Sequence, residues 1–176
     1  MQNIPSITTD TLSQMLSSHE AINIIDIRPI KEREEWFIPG SIHIDAYNRI
    51  KQNDDSVFDN IHLDKTIPVV TVCAGGKTSL IAAAMLQQKG YHAFSLQDGM
   101  KGWGLAWNKA ALSFDHYEII QLRRTGKGCL SYIIASGSEA IVVDASLPVE
   151  VYKNMLKENK WQLKAVMETH IHADHL

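Results

Sequence analysis

Residues 69–96, with the sequence VVTVCAGGKTSLIAAAMLQQKGYHAFSL, decide the fold. The run VVTV at residues 69–72 follows Pro68 and predicts a central parallel strand that is buried on both faces. Residues 77–89 then change to a helical period, with Gly90 as the expected C-terminal cap. Residues 93–96 predict the next strand. A strand, a helix and another strand in this order predict an α/β fold with a mostly parallel sheet.

The sequence on either side of this stretch continues the same alternation. Residues 8–18 predict a helix, and residues 21–27 (AINIIDI) predict a strand rich in β-branched side chains. A turn signal, IPGS, comes before a short strand at residues 42–44, and a short helix is expected at residues 100–109. We therefore predict a first domain at residues 1–112.

After residue 112 the pattern changes from alternation to consecutive strands. Strands that follow one another without helices between them predict an antiparallel meander. A helix and a further strand come after the meander, and we predict a second domain at residues 113–176. The predicted elements are strands at residues 117–124, 130–135 and 140–143, turns at residues 126–128 and 136–138, a helix at residues 149–159 and a strand at residues 164–168.

Composition and charge exclude several classes of function. The chain has 176 residues, of which 45% are hydrophobic and 21% are charged, and no apolar run is long enough for a transmembrane helix. The start of the chain has neither a basic stretch nor an apolar one, so we expect no secretion and a cytoplasmic location. The 17 basic and 20 acidic residues form no basic block, so neither nucleic acid nor a membrane is an expected partner.

The chain has two cysteines, Cys73 and Cys129, which cannot build a disulfide framework. Cys129 lies in an apolar strand pattern and is expected in the core. Cys73 stands directly after the predicted central strand, at the edge where open parallel sheets bind ligands. Gly75 and Gly76 let the backbone curl so that N–H groups point inward, and the start of the next helix adds its positive end. Such a cradle would stabilise a thiolate, the nucleophilic form of cysteine.

Two other interpretations of Cys73 and its loop account less well for the pattern. Free cysteines often only pack in cores, but the order strand, cysteine, two glycines and helix favours a reactive thiol. The run Gly76-Lys77-Thr78 half-matches a phosphate-binding loop, yet that motif needs a glycine where this chain has Thr71. We therefore predict a sulfur nucleophile and not a nucleotide site.

Four pieces of sequence around Cys73, in the right order, carry a family resemblance. They are Asp26-Ile27-Arg28, then Glu35-Trp36 leading into IPGSI at residues 38–42, then CAGGKTS at residues 73–79, and LQDGMKGW at residues 96–103. This region resembles a rhodanese-like sulfurtransferase domain, an open parallel sheet with helices on both faces. The chain departs from the family pattern at Trp36 and Phe37, where Gly-His is common, and at Thr78, where Arg is common.

The resemblance implies how Cys73 acts. As the catalytic residue it would take a sulfane sulfur from thiosulfate or a low-molecular-weight persulfide, and would pass it to a thiol acceptor without any cofactor. The loop from Cys73 to Thr78 has the length that the family associates with sulfur substrates, whereas relatives with longer loops act on phosphate esters or arsenate. Asp26 and Arg28 would give structural support. The residues expected to bind the donor are Ala74, Gly75, Gly76, Lys77 and Thr78.

A second motif, THIHADH, occupies residues 169–175. Directly after a strand, its side chains could converge on one iron or zinc ion, because imidazole and carboxylate groups are ligands that these metals accept. A chance cluster on a solvated loop is the alternative, which the regular spacing disfavours. The candidate metal ligands are His170, His172, Asp174 and His175.

This second motif resembles the first metal motif of the metallo-β-lactamase fold, and is most similar to that of persulfide dioxygenases, which resemble glyoxalase II but use one iron. The resemblance implies that residues 113–176 are the incomplete N-terminal part of an αββα domain, with His170 as the first iron ligand. His172, Asp174 and His175 would be pocket residues, or ligands in the dinuclear zinc relatives. Metal binding is expected to be weak without the family's remaining ligands.

Because the second domain is incomplete, we expect either a fragment of a longer fusion protein or a truncated gene product. Its apolar strands would be exposed and could join two copies of the chain. Three functions follow from the sequence: a sulfurtransferase, which we expect; a metal-dependent persulfide dioxygenase or metallo-β-lactamase-fold hydrolase in a longer parent protein; and a non-catalytic sulfur-carrier module. The third, non-catalytic function includes a docking module, which a Cys73 thiol that does not react with sulfur donors would favour.

Overall fold

The computed structural model of the protein describes residues 4–171, which form two compact units. The chain divides between Trp103 and Gly104. Each unit has a sheet and a hydrophobic core of its own.

The first unit is built on a five-stranded sheet in which every neighbouring pair is parallel, in the order β1-β5-β4-β2-β3. All four residues of its central strand are buried, as the apolar run had predicted. The strands are β1 (Ser6–Ile7), β2 (Asn23–Asp26), β3 (Ile42–His43), β4 (Val69–Val72) and β5 (Ala93–Leu96).

Helices flank this sheet, and α4 is the one that matters most for the site. Its residues Ala82, Ala83 and Leu86 pack into the core beside Cys73. The small side chains of the two alanines let the helix approach the sheet closely. The first helix begins where Thr8 caps it by accepting a hydrogen bond from the Thr11 N–H at 3.1 Å. The helices are α1 (Thr9–Ser17), α2 (Ile30–Glu35), α3 (Tyr47–Lys51), α4 (Lys77–Gln88) and α5 (Gly99–Trp103), with a 3₁₀ turn at Asp55–Phe58.

The second unit is a five-stranded sheet in the order β10-β9-β8-β7-β6. The three predicted strands of the antiparallel meander are present as β7, β8 and β9, and β6, which was not predicted, pairs antiparallel to β7. The last strand returns parallel to β9 after a helix. That helix packs Tyr152, Met155 and Leu156 on one face of the sheet. The elements are β6 (Asn108–Ser113), β7 (Glu118–Arg124), β8 (Cys129–Ser136), β9 (Glu139–Val143), α6 (Val149–Glu158) and β10 (Gln162–Met167).

The structure corrects the sequence at the start of the second unit. The helix predicted at residues 100–109 ends at Trp103, and Asn108 and Lys109 belong to β6. Pairing with β7 determines this conformation, because Asn108 lies opposite Arg123 across the sheet, a contact that local periodicity does not encode. The boundary expected after residue 112 therefore falls inside β6.

Cys129 is also placed differently from the expectation. It is the first residue of β8 and is only partly buried, not a core residue, because it directly follows the turn at Gly128. The buried positions of β8 are Ser131, Ile133 and Ala135, which alternate along the strand as one face of a sheet requires.

No helix in residues 4–171 combines the length and the apolar character that crossing a bilayer requires.

Candidate active site

Cys73 lies at the carboxyl end of the central strand. Its strand, β4, has a hydrogen-bonded neighbour on each side, and the pairing with β2 continues as the Ile27 N–H donates to the Val72 carbonyl at 3.0 Å. The side chain of Cys73 points into the core, and the residue is 2% exposed. The sulfur is therefore held in a rigid position and is largely removed from water.

Backbone N–H groups surround the sulfur. The Gly76 N–H donates to Cys73 Sγ at 3.1 Å, and the Ser79 N–H does so at 3.4 Å. Gly76 can aim its N–H inward because its φ of +83° is in the left-handed region, where glycine is strained least. These donors lie at the start of α4, whose positive end faces the same point. Two N–H donors and the start of a helix therefore face the sulfur.

The first turn of α5 holds the loop that follows Cys73 through two backbone hydrogen bonds. The Met100 N–H donates to the Cys73 carbonyl at 2.8 Å, and the Lys101 N–H donates to the Ala74 carbonyl at 3.0 Å. Gly99, with a φ of +54°, lies so close that a Cβ there would overlap the Cys73 carbonyl oxygen. The Cys73 and Ala74 carbonyls are thus held by hydrogen bonds from α5. The N–H groups of Gly76 and Ser79 face the sulfur instead.

Buried hydroxyl groups complete the surroundings of the sulfur. Ser79 Oγ is 3.3 Å from Cys73 Sγ, and Ser95 Oγ donates to Ser79 Oγ at 2.8 Å. Thr71 Oγ1 donates to the Ser79 carbonyl at 2.7 Å and so joins β4 to the first turn of α4. All three hydroxyl residues are 0% exposed. Sequence reasoning gave no role to Ser79 or Ser95, although Ser79 lies within the motif that carries the resemblance.

The five residues predicted to bind a donor divide into two groups. Gly76 and Thr78 are buried, whereas Ala74, Gly75 and Lys77 are exposed. Lys77 is the one charged residue in the stretch from Ala74 to Ser79. The loop therefore presents one cation to solvent and its backbone N–H groups to the sulfur.

Asp26 and Arg28 form a buried ion pair at the end of β2, the strand beside β4. Arg28 Nη2 is 2.7 Å from Asp26 Oδ2, and the two side chains are 3% and 2% exposed. Arg33 also contacts Asp26 Oδ2, at 3.2 Å. Arg28 donates to the Trp36 carbonyl at 2.9 Å, so the pair holds the backbone that follows α2. Their hydrogen bonds link backbone segments and do not reach the sulfur of Cys73.

Comparison with known proteins agrees with this geometry. The sequence model of the Rhodanese-like domain matches residues 8–106, which is more than half of the chain. The chain belongs to the rhodanese-like family. This confirms the predicted resemblance of the first domain.

Several known proteins are similar to part of this rhodanese-like chain. YrkF of Bacillus subtilis, whose name describes a sulfur carrier protein, is 28% identical over 102 residues, 57% of this chain and 51% of its own length. A tRNA sulfurtransferase of Desulfurococcus amylolyticus is 36% identical over 77 residues, 44% of this chain and 14% of its own length. The chain thus spans about half the length of YrkF and a smaller share of the tRNA sulfurtransferase. A rhodanese-like domain protein from Staphylococcus aureus is 30% identical, with coverage of 57% of this chain and 92% of that structure, and has a TM-score of 0.46.

The second unit of the rhodanese-like chain carries a different match. The sequence model of the Metallo-beta-lactamase superfamily matches residues 124–176, which confirms the predicted fusion. At the carboxyl ends of β9 and β10, the Thr169 N–H donates to Asp144 Oδ1 at 2.7 Å, and Thr169 Oγ1 is 2.8 Å from His170 Nδ1. This short network joins the two parallel strands at the edge where the predicted metal motif begins.

Of the four candidate metal ligands, only His170 lies within the described residues, and it is exposed. The predictions for His172, Asp174 and His175 lie outside that range. Residues 4–171 contain no group of three or more His, Cys, Asp or Glu side chains that could hold a metal ion. Within residues 4–171, the donors that the structure describes are therefore too few to hold iron or zinc.

Proposed function

We propose that the protein transfers sulfane sulfur through a persulfide on Cys73. The observation that carries the proposal is the position of Sγ, which lies at the end of a central strand with N–H donors from Gly76 and Ser79 within 3.4 Å. Hydrogen bonds to an anionic sulfur are stronger than those to a neutral one, so this environment favours the thiolate and the persulfide anion. The family membership and the names of two relatives support the same chemistry.

In the first step, the Cys73 thiolate attacks the sulfane sulfur of the donor. A new S–S bond forms at Sγ while the donor's own S–S bond breaks, and its electron pair leaves on sulfite from thiosulfate, or on a thiolate from a persulfide. The N–H groups of Gly76 and Ser79 remain on the cysteine sulfur, and Lys77 is the cation available to the incoming anion.

In the second step, an acceptor thiolate attacks the outer sulfur of the Cys73 persulfide. The bond between the outer sulfur and Sγ breaks, its electron pair returns to Sγ, and the acceptor leaves as a persulfide. No external oxidant or reductant is needed, because one sulfur atom moves between two sulfur nucleophiles. We propose a small anionic molecule as the donor, either thiosulfate or a low-molecular-weight persulfide, and a thiol as the acceptor.

Steady-state transfer from thiosulfate to a thiol tests this proposal. The variant Cys73→Ser should lose at least about 1000-fold in turnover, since the hydroxyl is a far weaker nucleophile at neutral pH. Cys129→Ser is the matched control, because Cys129 lies in the other unit and has no part in the step. Equal rates for Cys73→Ser and the wild type would rule the proposal out.

A sulfur-carrier role is the second candidate, and the similarity to YrkF, named as a carrier, is the observation that favours it. A carrier would use the same persulfide but would deliver its sulfur to one partner protein. The two roles separate by stoichiometry. An enzyme forms many product persulfide molecules per protein chain from a small-molecule donor. A carrier releases one sulfur atom each time that Cys73 is loaded with sulfur.

A metal-dependent persulfide dioxygenase or hydrolase activity requires ligands beyond those that residues 4–171 provide. We propose this activity only for a longer parent protein. Metal analysis of the purified chain tests the point: we expect iron and zinc well below one per chain, and a stoichiometric metal would contradict it.

A further inference from the structure

We infer that Ser79 and Ser95 act together as positioning residues, in a hydroxyl relay that places a hydrogen bond on the sulfur of Cys73. This inference rests on the proposed sulfur transfer and adds residues that the sequence did not assign. Both serines are buried at 0% exposure, so water does not replace their hydrogen bonds.

The direction of the relay follows from the distances. Ser95 Oγ donates to Ser79 Oγ at 2.8 Å, whereas its other acceptor, the Gly76 carbonyl, is 3.4 Å away. A serine hydroxyl has one hydrogen to donate. Because Ser79 Oγ accepts from Ser95, its own hydrogen is left for Cys73 Sγ at 3.3 Å. The hydrogen bonds thus run from Ser95 to Ser79 to the sulfur.

The fold holds both ends of this relay in place. Ser95 is fixed on β5, where it lies opposite Thr71 of β4 and its N–H donates to the Pro5 carbonyl at 3.1 Å. Ser79 is fixed in the first turn of α4, where Thr71 Oγ1 donates to its carbonyl. Thr71 therefore belongs to the same buried layer but does not contact the sulfur through its hydroxyl.

The relay acts when charge develops on Sγ, which happens as the acceptor removes the outer sulfur and the electron pair returns to Cys73. A hydroxyl that already accepts a hydrogen bond is a better donor, so Ser95 strengthens the bond from Ser79. An anionic sulfur is a stronger hydrogen-bond acceptor than a neutral one. The pH at which Cys73 becomes reactive should therefore depend on both serines.

Other charged groups lie on the elements around Cys73 and remain unchanged in the test. The N–H and O–H donors that the described residues supply to Sγ come from Gly76 and Ser79. The charged groups on or beside those elements are Asp26 at the end of β2, Arg28 after it, Lys77 at the start of α4, Asp98 just before α5 and Lys101 within α5.

The test is the pH profile of Cys73 alkylation by iodoacetamide, from about pH 5 to about pH 10. All variants carry Cys129→Ser, so that Cys73 is the only thiol. Ser79→Ala should move the midpoint to higher pH and slow the reaction about 10-fold at neutral pH. Ser95→Ala should move it in the same direction, with a loss of about 3-fold.

A double variant separates a relay from two independent effects. If Ser95 acts through Ser79, then Ser95→Ala changes nothing further in a chain that already carries Ser79→Ala. Additive losses would show that Ser95 does not act through Ser79 and would overturn the relay. A Ser79→Ala profile that coincides with the wild type would overturn it as well.

Controls distinguish the relay from a general loss of packing. Ile24→Val removes one buried methylene group from the neighbouring strand β2 and should lower the stability without moving the midpoint. The side chains introduced by Ser95→Thr and Ser95→Val have nearly the same volume, but only threonine has a hydroxyl. Only Ser95→Val should therefore move the midpoint. This comparison holds even if Ser95→Ala folds poorly. A shift in Ile24→Val as large as that in Ser95→Ala, or equal shifts in Ser95→Thr and Ser95→Val, would contradict the relay.

The experiment distinguishes failure of the relay from failure of the proposed function. Alkylation measures the thiol itself and needs no sulfur donor. Absence of a persulfide in the wild type would count against sulfur transfer and leave the relay standing. An unshifted Ser95→Ala profile in a protein that forms the persulfide would remove the relay and leave sulfur transfer standing.

Discussion

Gly99 lies against the backbone of the Cys73 loop at a point where no side chain fits. Its φ is +54°, and an added Cβ would overlap the Cys73 carbonyl and lie 2.7 Å from the Gly76 nitrogen. Both atoms belong to backbone that cannot move without displacing the N–H groups around the sulfur. The shape of the site thus depends on a residue that offers no chemistry of its own.

We predict that Gly99→Ala destabilises the first unit by about 3 kcal/mol or more, through left-handed strain and overlap. Urea unfolding measures the effect. Gly75→Ala is the matched control, because nothing lies within 4 Å of its added Cβ and its φ is not in the left-handed region. If Gly99→Ala were as stable as Gly75→Ala, residue 99 would not be in contact with the backbone of the Cys73 loop, and this account of Gly99 would be contradicted.

The buried ion pair of Asp26 and Arg28 supports a second prediction at this scale. Arg28→Ala removes one of the two arginine partners of the Asp26 carboxylate, which is 2% exposed. The variant should lower the free energy of unfolding by about 3–5 kcal/mol. Arg49→Ala, in the same unit, breaks a pair whose side chains are 52% and 36% exposed, and should cost much less because solvent screens the two charges. Equal losses in urea unfolding would contradict this account of Arg28.

At the scale of the elements, local sequence was enough for β4, α4 and β5, whose apolar runs and helical period gave their bounds almost to the residue. It failed for β6, because the conformation of Asn108 and Lys109 depends on pairing with β7. The same limit applies to the site. The loop from Cys73 to Thr78 is local and was predicted, whereas Ser95 reaches Ser79 through the register between β4 and β5, and no local pattern encodes that register.

The segment between α3 and the following 3₁₀ turn gives a pH prediction. The pKa of Asp54 lies below its ordinary value of 3.8, mainly because the Ser56 hydroxyl donates to it and then because Arg49 does. A lowered carboxyl pKa adds stability above the unfolded pKa, and that contribution is lost as the pH falls through the folded value. Asp54→Asn should therefore be less stable than the wild type at pH 7. In urea unfolding, the difference should vanish on acidification, and a difference that grows in acid would contradict the assignment.

At the scale of the whole molecule, the chain contains two units with separate hydrophobic cores. All residues of the candidate active site lie in the first unit. We predict that residues 1–106 alone fold cooperatively and react at Cys73 with the same pH profile as the full chain. Circular dichroism and alkylation check this prediction, and a fragment that is unfolded in buffer would contradict it.

Self-association through the second unit stays a prediction. The edge strand β10 is exposed along its length, with Leu163, Val166 and Met167 between 43% and 55% exposed. Sedimentation of the purified chain over a range of concentrations would measure it.

The central claim is that Cys73 carries the sulfur, and the intact mass of the chain after incubation with thiosulfate tests it most directly. We predict a gain of one sulfur atom in the wild type and in Cys129→Ser, and no gain in Cys73→Ser. A gain that persists in Cys73→Ser, or a wild-type mass that stays unchanged with thiosulfate and with a low-molecular-weight persulfide, would contradict the account.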